Sequence, residues 1–487
     1  MMEIKFGTSG WRAVIAEEFT FANVRRVVEA IARYVESSSH PLYKKGGPGG
    51  GSGPPILVGY DTRFLSRSFA EEAARIFLAH GFEVHLCNAP TPTPTIAYEI
   101  LKNKRRPLAG AVNVTASHNP PQYNGIKFSS SDGAPALPEV TRAIEALLQG
   151  LNDSDVKQTA TLDHPRLKTV SLDKDYVERI AELIDLAAIR RAKLRLAYDP
   201  QYGTGAAIVS RIAKEFRIPI TMIHTHPDPS FGGHAPDPSE EHLMELKREM
   251  RRQHAALGLS TDGDADRFGV LDRDGTFISP NETIALAFDY LVAERHFPGG
   301  VCRSVATTHL IDSVAAYHHR EVFETPVGFK YVGELIKQDK IVIGGEESAG
   351  LSIRGHVPEK DGILACLLAS EMVAVRGKSL KQQRQELFKR VGAFYNVRVN
   401  VPVDPSKGNE IQKRIENLPV LLNNLKQGSK VERENNLDGK KVIFVDGSWV
   451  LIRLSGTEPV ARLYCEARTE AQLKRLRQGV ERLLKSP

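Results

Sequence analysis

Short apolar runs alternate with stretches of helical period three times along this chain, and that rhythm restricts the folds open to it. The first round is a strand at 56–60, a helix ending at Gly81, a strand at 84–87, a short helix near 96–101 and a strand at 108–114. The second runs through a strand at 194–198, a helix near 206–215, a strand at 218–223, a helix over 240–253 and a strand at 255–259. After Pro280 come a helix to Ala293, a strand near 304–307, a helix at 311–317, a strand at 341–344 and a helix over 362–375. Alternation of this kind needs crossover connections, so each round predicts a largely parallel sheet with helices on its faces. From about Gly392 the pattern changes. Strands at 395–401, 441–445, 449–453 and 462–467 precede a terminal helix over 470–484, which reads as a smaller α+β unit. The predicted class is α/β: three similar α/β domains with mixed, largely parallel sheets, and a C-terminal α+β domain. The expected divisions are 1–172, 173–276, 277–390 and 391–487.

A chain of 487 residues is too long for a single core, which agrees with several domains. Thr20 can cap a helix carrying Val24, Val27, Val28, Ile31 and Val35 on one face. The Gly/Pro/Ser run at 45–55 has no apolar periodicity and reads as a flexible surface loop. Cys87, Cys302, Cys366 and Cys465 form no CxxC pair and suit buried thiols in a reducing cytoplasm. Neither a secretory h-region nor an 18-residue apolar stretch appears, so no membrane association is expected. The net charge of +6 permits anionic small substrates but gives no case for nucleic acid, which would need basic residues clustered on one face.

Four loops carry chemistry. In 112–128, an apolar strand runs into an exposed turn that presents Ser117, where Asn119, Pro120 and Pro121 interrupt regular structure. A serine there can carry a covalent intermediate if something activates it; a polar loop is the plain alternative. Thr261-Asp262-Gly263-Asp264-Ala265-Asp266-Arg267 follows an apolar strand. In extended backbone Asp262, Asp264 and Asp266 would point to one side and converge, which a hard cation such as Mg²⁺ would relieve. An EF-hand is excluded because Arg267 and Arg273 fill its glycine and glutamate positions; a solvated acidic turn remains the alternative. Asp272 and Asp274 belong to the next hairpin and are expected to be structural. Arg453-Leu454-Ser455-Gly456-Thr457-Glu458-Pro459, with Arg462 beyond, offers a guanidinium, hydroxyls and backbone N–H groups suited to phosphate. Gly344 to Gly350 brings Glu346 and Ser348, a carboxylate and a hydroxyl fit for sugar hydroxyls, to a strand end. Gly377-Lys378-Ser379 lacks the first glycine of a P-loop, and no G-x-S-x-G elbow surrounds Ser117 and His118, so neither an NTPase nor a hydrolase triad is supported.

These loops, in this order and across nearly the whole chain, resemble the α-D-phosphohexomutase superfamily of phosphoglucomutases and phosphomannomutases. The resemblance implies four domains around a central cleft and a phosphoserine at Ser117. It implies Mg²⁺ held by Asp262, Asp264, Asp266 and a Ser117 phosphate oxygen, sugar contacts from Glu346 and Ser348, and phosphate contacts from Arg453, Ser455, Gly456, Thr457 and Arg462. The opening Phe6-Gly7-Thr8-Ser9-Gly10-Trp11-Arg12 looks like the family's N-terminal loop, which adds Ser9 and Arg12. Lys127 matches the family's general acid/base, with Arg267 and His118 beside the reacting phosphate. Lys330 (in Gly328-Phe329-Lys330), His356 and Lys360 resemble its phosphosugar contacts. The Gly-rich run at 45–55 matches none of its motifs.

The chemistry so implied moves phosphate between hexose 1-phosphate and hexose 6-phosphate, most simply of glucose, through glucose 1,6-bisphosphate as intermediate and activator. The intermediate must turn end for end, which needs two anion sites. A metal-dependent phosphatase needs only one and would leave the Arg453 and Glu346 loops idle. A phosphomannomutase, a bisphosphate synthase of the same fold and a non-catalytic sugar-phosphate sensor are the other readings. Gly-Glu-Glu-Ser looks more like phosphoglucomutases than phosphoglucosamine mutases, where Glu-Gln-Ser is usual. The partners expected are hexose phosphates, with the protein a cytoplasmic monomer or homodimer.

Overall fold

The computed structural model describes residues 4–7, 9–37, 54–403, 408–424, 430–454 and 460–485. All but Pro54 and Pro55 of the Gly-rich run lie outside these, as do Ser455, Gly456 and Thr457.

One pattern of four strands is built three times. In the first sheet, β1 (Trp11–Val14), β2 (Ile56–Tyr60), β3 (Val84–Cys87), β4 (Gly110–Val114), β5 (Tyr123–Ser130) and β6 (Leu167–Val170) lie in the order β1-β5-β4-β2-β3-β6. Strand β2 pairs parallel with β3 and β4, and β5 returns antiparallel beside β4. The second sheet has β7 (Leu196–Asp199), β8 (Ile220–Met222), β9 (Leu257–Thr261), β10 (Phe268–Asp272) and β11 (Phe277–Ile278). There β7 takes the place of β2, between parallel neighbours β8 and β9, with β10 antiparallel to β9. The third has β12 (Gly300–Ser304), β13 (Val322–Thr325), β14 (Ile341–Glu346) and β15 (Gly350–Ile353), with β12 central and β15 antiparallel to β14. Ser117, the aspartate triad and Glu346 therefore occupy the same corner of three equivalent sheets, where the third strand hands over to its antiparallel return. The fourth sheet is antiparallel throughout: β16 (Tyr395–Pro402), β17 (Val431–Asn435), β18 (Lys440–Phe444), β19 (Trp449–Leu454) and β20 (Val460–Ala467), ordered β16-β20-β19-β18-β17.

The middle strands are buried along their whole length, which accounts for their unbroken apolar runs. Helix Pro280–Ala293 starts in a capping box, Ser279 with Glu282, and has Pro280 in its first turn. Helix Gly362–Arg376 is capped by Asp361, ends at a left-handed Gly377, and is apolar nearly all round. It is buried between the second and third sheets, and the apolar core runs continuously through both units, from Tyr176 to Phe394. The first unit has its own core, and so does the fourth. Val305, Ala306, Ile443, Trp449, Leu451 and Tyr464 form a smaller apolar cluster between the third and fourth units.

That cluster explains one misplaced strand. The expected 304–307 strand lies at Gly300–Ser304, because Val305 and Ala306 are buried against Trp449 and Leu451 and not within the sheet. The expected 240–253 helix is a 3-10 turn, Glu240–Leu243, followed by an α-helix, Met244–Gln253. The strand expected at 255–259 is Leu257–Thr261; Ala255 instead closes the helix end, its N–H on Met250 O after a left-handed His254. Asp272 is structural, accepting the Lys381 N–H at 2.8 Å, and all four cysteines are buried and unpaired. No helix among the described residues is long and apolar enough to cross a membrane.

Candidate active site

Ser117 sits where β4 stops, at φ 54°. The sequence led us to expect an exposed turn, but Ser117 is 1% exposed because the 262–267 loop of the second unit closes over it. Its Oγ donates to Asp262 Oδ2 at 2.6 Å and lies 3.4 Å from His118 Nδ1. Gly263 is required here: a Cβ would stand 2.7 Å from Ser117 O.

The three aspartates converge, but not by alternation along a strand. Residues 262–267 form a turn with Ala265 at φ 57°, and the turn gathers the carboxylates. One oxygen of each lies within 4.8 Å of the others, and all three side chains are buried. Burial, then repulsion from Asp264 and Asp266, pushes the Asp262 carboxyl well above its usual range. Burial acts the same way on Asp266, yet Lys127 and Lys360 overcome it and hold Asp266 below its usual range. Buried Asp264 Oδ1 and Asp266 Oδ1 have no hydrogen-bond donor. Three convergent carboxylates with lone pairs to spare fit a divalent, oxygen-preferring cation.

Cations ring this acidic centre. Lys127, on β5, places Nζ 2.5 Å from Asp264 Oδ2 and 2.8 Å from Asp266 Oδ2. Burial disfavours the Lys127 ammonium, but the two carboxylates outweigh it and its pKa is raised. Lys360, from the third unit, lies 3.2 Å from Asp266 Oδ2 and 2.8 Å from Glu359 Oε1. Arg12 Nη1 donates to Asn119 Oδ1 at 2.7 Å, and the Arg267 N–H donates to Asp262 Oδ1 at 3.0 Å. Burial, then Arg267 and Arg12, drives the His118 imidazole well below its usual pKa, so it is neutral. Ser9 shares a small cleft with Lys127 and Glu359.

Glu346 closes β14, and its Oε1 accepts the Gly328 N–H at 2.7 Å. Burial, then the neighbouring Glu347, raises its pKa to about 7. Ser348 is half-buried in the turn that follows. Arg453 pairs with Asp438 at 2.8 Å, and Asp438 Oδ2 accepts the Val327 N–H at 2.9 Å, so the C-terminal unit is tied to the Gly328 corner. Arg453 and Arg462 face each other directly across β19 and β20, two like charges at the root of the 455–459 loop. Lys330 is half-buried, with Glu139 and Arg142 of the first unit as its charged neighbours. His356 has no exposed side-chain surface and lies 2.7 Å from Asp361 Oδ2, which also accepts the Tyr176 hydroxyl.

Sequence reasoning missed three residues that build this centre. Thr93 Oγ1 donates to Asp264 Oδ2 at 2.6 Å, and its N–H donates to Asp264 O at 2.9 Å. Arg63, just after β2, donates to Ser117 O and so holds its loop, and Asp61 pairs with Arg63. Nothing local marks Thr93; Asp-Thr-Arg at a strand end was the one visible signal for the other two.

Four family models cover the chain in series. Phosphoglucomutase/phosphomannomutase alpha/beta/alpha domains I, II and III match residues 3–154, 174–275 and 279–391, and the C-terminal domain matches 397–483. This chain belongs to the phosphoglucomutase/phosphomannomutase family. It is 29% identical over 469 residues to a phosphoglucomutase/phosphomannomutase of Thermococcus kodakarensis, covering 96% of each chain. It is 30% identical over 469 residues to a protein of Methanothermobacter thermautotrophicus named a probable phosphoglucosamine mutase, covering 96% of this chain and 95% of the other. A crystal structure described as that of a phosphomannomutase from Thermus thermophilus superposes with a TM-score of 0.83 at 31% identity, over 100% of both chains. The protein is thus an enzyme of the phosphohexomutase type, an isomerase of carbohydrate metabolism, with an acidic triad able to bind a metal.

Proposed function

We propose that this phosphohexomutase interconverts glucose 1-phosphate and glucose 6-phosphate through a phosphoserine at Ser117 and glucose 1,6-bisphosphate. The observation that carries the reading is the 2.6 Å contact of Ser117 Oγ with a buried three-carboxylate centre contributed by another unit. Asp262, Asp264 and Asp266 would hold Mg²⁺ together with an oxygen of the phosphorylated serine. Mg²⁺ bound there would neutralise charge on the transferring phosphoryl group.

The chain's own groups supply the rest. Arg12, Arg267 and Lys360 surround the phosphoryl group with positive charge, and neutral His118 lines it. When the sugar hydroxyl attacks, the Ser117 O–P bond breaks and a sugar O–P bond forms. Were Asp264 and Asp266 engaged by a cation, Lys127 would lose the carboxylates that hold its extra proton; as the neutral amine it would take the hydroxyl proton, and as the ammonium it would return it when the turned-over bisphosphate rephosphorylates Ser117. Glu346 and Ser348 take the ring hydroxyls, with Ser9, Lys330 and His356 lining or backing the sugar cleft. Arg453 and Arg462 flank the loop of Ser455, Gly456 and Thr457, which holds the other phosphate in either orientation.

Glucose is the substrate favoured by Gly-Glu-Glu-Ser at 345–348. Assays with glucose, mannose and glucosamine 1-phosphates, each with and without its bisphosphate, test the reading. Turnover should be highest with glucose 1-phosphate and should rise when glucose 1,6-bisphosphate is added. Net release of inorganic phosphate as the main product would support a phosphatase, and accumulation of free bisphosphate a synthase.

A further inference from the structure

The loop of Ser117 is gripped by two residues that follow a neighbouring strand. Asp61 and Arg63 follow β2, the strand beside β4, and the pair lie 3.2 Å apart with no exposed side-chain surface. The Arg63 guanidinium donates to four main-chain carbonyls: Ser117 O and Asn119 O at 2.6 Å, Pro120 O at 2.9 Å and Tyr123 O at 3.0 Å. At the other end the Asp61 N–H donates to Val114 O at 3.0 Å, and Thr115 Oγ1 accepts the Ser117 N–H at 2.9 Å. Asp61 also accepts from Ser66 Oγ at 2.7 Å and from the Arg63 N–H at 3.0 Å. The outer face of the guanidinium lies over the ring of Phe231 in the second unit, 4.9 Å from its centroid.

The repeated architecture supplies an internal control. In the second unit β7 ends with Asp199 and Gln201 at the equivalent place, and the Gln201 N–H donates to Asp199 Oδ1 at 2.7 Å, as Arg63 does to Asp61. The same turn therefore forms without arginine. Gln201 Nε2 reaches Asp237 O and Ser260 Oγ, and the 262–267 loop is instead held by the Thr204 N–H on Gly263 O. The arginine belongs to the copy that carries the serine. Ser117 is a non-glycine residue in left-handed backbone, a conformation that persists only when its surroundings impose it.

We propose that Asp61 and Arg63 form a positioning brace that fixes Ser117 for phosphoryl transfer, with Phe231 coupling the brace to the metal-loop unit. The inference rests on Ser117 being the phosphoryl carrier. In-line transfer is sensitive to displacements of about 1 Å, so loosening the brace should slow the chemical step and leave ground-state sugar binding nearly unchanged.

The test compares Arg63→Lys, Asp61→Asn and Phe231→Leu with wild type, measuring kcat, KM for glucose 1-phosphate, and the single-turnover rate of phosphate transfer from phospho-Ser117 to glucose 6-phosphate. Arg303→Lys, in a buried ion-pair cluster of the third unit, controls for general loss of stability. Lysine keeps the charge but cannot reach four carbonyls, so Arg63→Lys and Asp61→Asn should each lower kcat and the transfer rate at least tenfold with KM within threefold. Phe231→Leu should lower kcat two- to fivefold, and Arg303→Lys should leave it unchanged. A transfer rate within twofold of wild type in Arg63→Lys overturns the brace, as does a matching loss in Arg303→Lys. If Arg63→Lys does not fold, Phe231→Leu decides, and an unchanged kcat there overturns the proposal. Wild type that never acquires phosphate on Ser117 when incubated with glucose 1,6-bisphosphate would sink the phosphoserine reading itself, a result distinct from any of these.

Discussion

Lys127 Nζ lies 2.5 Å from Asp264 Oδ2, so the candidate proton carrier is an ion-pair partner of a candidate metal ligand. A divalent cation at the triad and the Lys127 ammonium therefore compete for the same carboxylates. Lys127→Met should bind Mg²⁺ severalfold more tightly than wild type while turnover falls by about 10²–10⁴, the usual contribution of a positioned acid/base. Asp264→Asn should weaken Mg²⁺ binding and turnover together. Calorimetric titration with Mg²⁺ and steady-state assays check both; wild-type activity that survives prolonged EDTA treatment would remove the metal from the account.

Arg453→Ala should raise KM for glucose 1-phosphate and glucose 6-phosphate together. A charge-assisted contact to phosphate contributes about 1.5–3 kcal/mol, so the rise should be about ten- to a hundredfold. Asp438→Asn removes the carboxylate that pairs with Arg453 here and should alter KM far less than Arg453→Ala does. Unchanged KM for both monophosphates in Arg453→Ala would place the distal phosphate elsewhere.

The motif residues were legible because each marks its own neighbourhood: a serine before Asn-Pro-Pro, three alternating aspartates, a guanidinium before Ser-Gly-Thr. The braces behind them were not. Thr93 lies 171 residues from Asp264 and Arg63 lies 54 from Ser117, and only the sheets bring them together. The threefold alternation of strands and helices was visible, but the shared corner was not, because backbone topology repeats there while residues do not. Ser117 looked exposed for the same reason: the loop that covers it comes from another unit. Val305 and Ala306 read as strand because apolar runs do not reveal whether a sheet or a neighbouring unit buries them.

Glu346 should set a pH dependence of sugar binding. With a pKa of about 7 its carboxylate, the form that accepts hydrogen bonds from ring hydroxyls, gains population as pH rises through neutrality. KM for glucose 1-phosphate should therefore fall over that range. Burial alone still raises Glu346 in Glu347→Gln, but the like charge is gone, so the midpoint should move to lower pH. Comparing the two proteins cancels the substrate's own titration. Coincident KM–pH profiles would contradict the assignment.

Lys441 joins the third and fourth units, its Nζ 2.7 Å from Val305 O and 2.9 Å from His309 Nε2. Burial, then Arg303, lowers its pKa from 10.5 to about 7. Between those values the unfolded chain holds the extra proton, so stability must rise with pH from about 7 towards 10, by at most about 1.4 kcal/mol per pH unit. Lys441→Met should lose that slope. Urea unfolding at pH 7, 8 and 9 measures it, and parallel slopes in the two proteins would refute the burial argument.

Ser117 is the proposed carrier of the phosphoryl group. Incubating the protein with glucose 1,6-bisphosphate labelled with ³²P, digesting it and mapping the labelled peptide tests this directly. One labelled phosphate is expected on Ser117, chased into hexose bisphosphate by unlabelled glucose 1-phosphate at a rate no slower than turnover. In Ser117→Ala no label should appear, and turnover should fall by at least about 10³-fold in a folded protein. Label on another residue, or mutase turnover retained in Ser117→Ala, would contradict it.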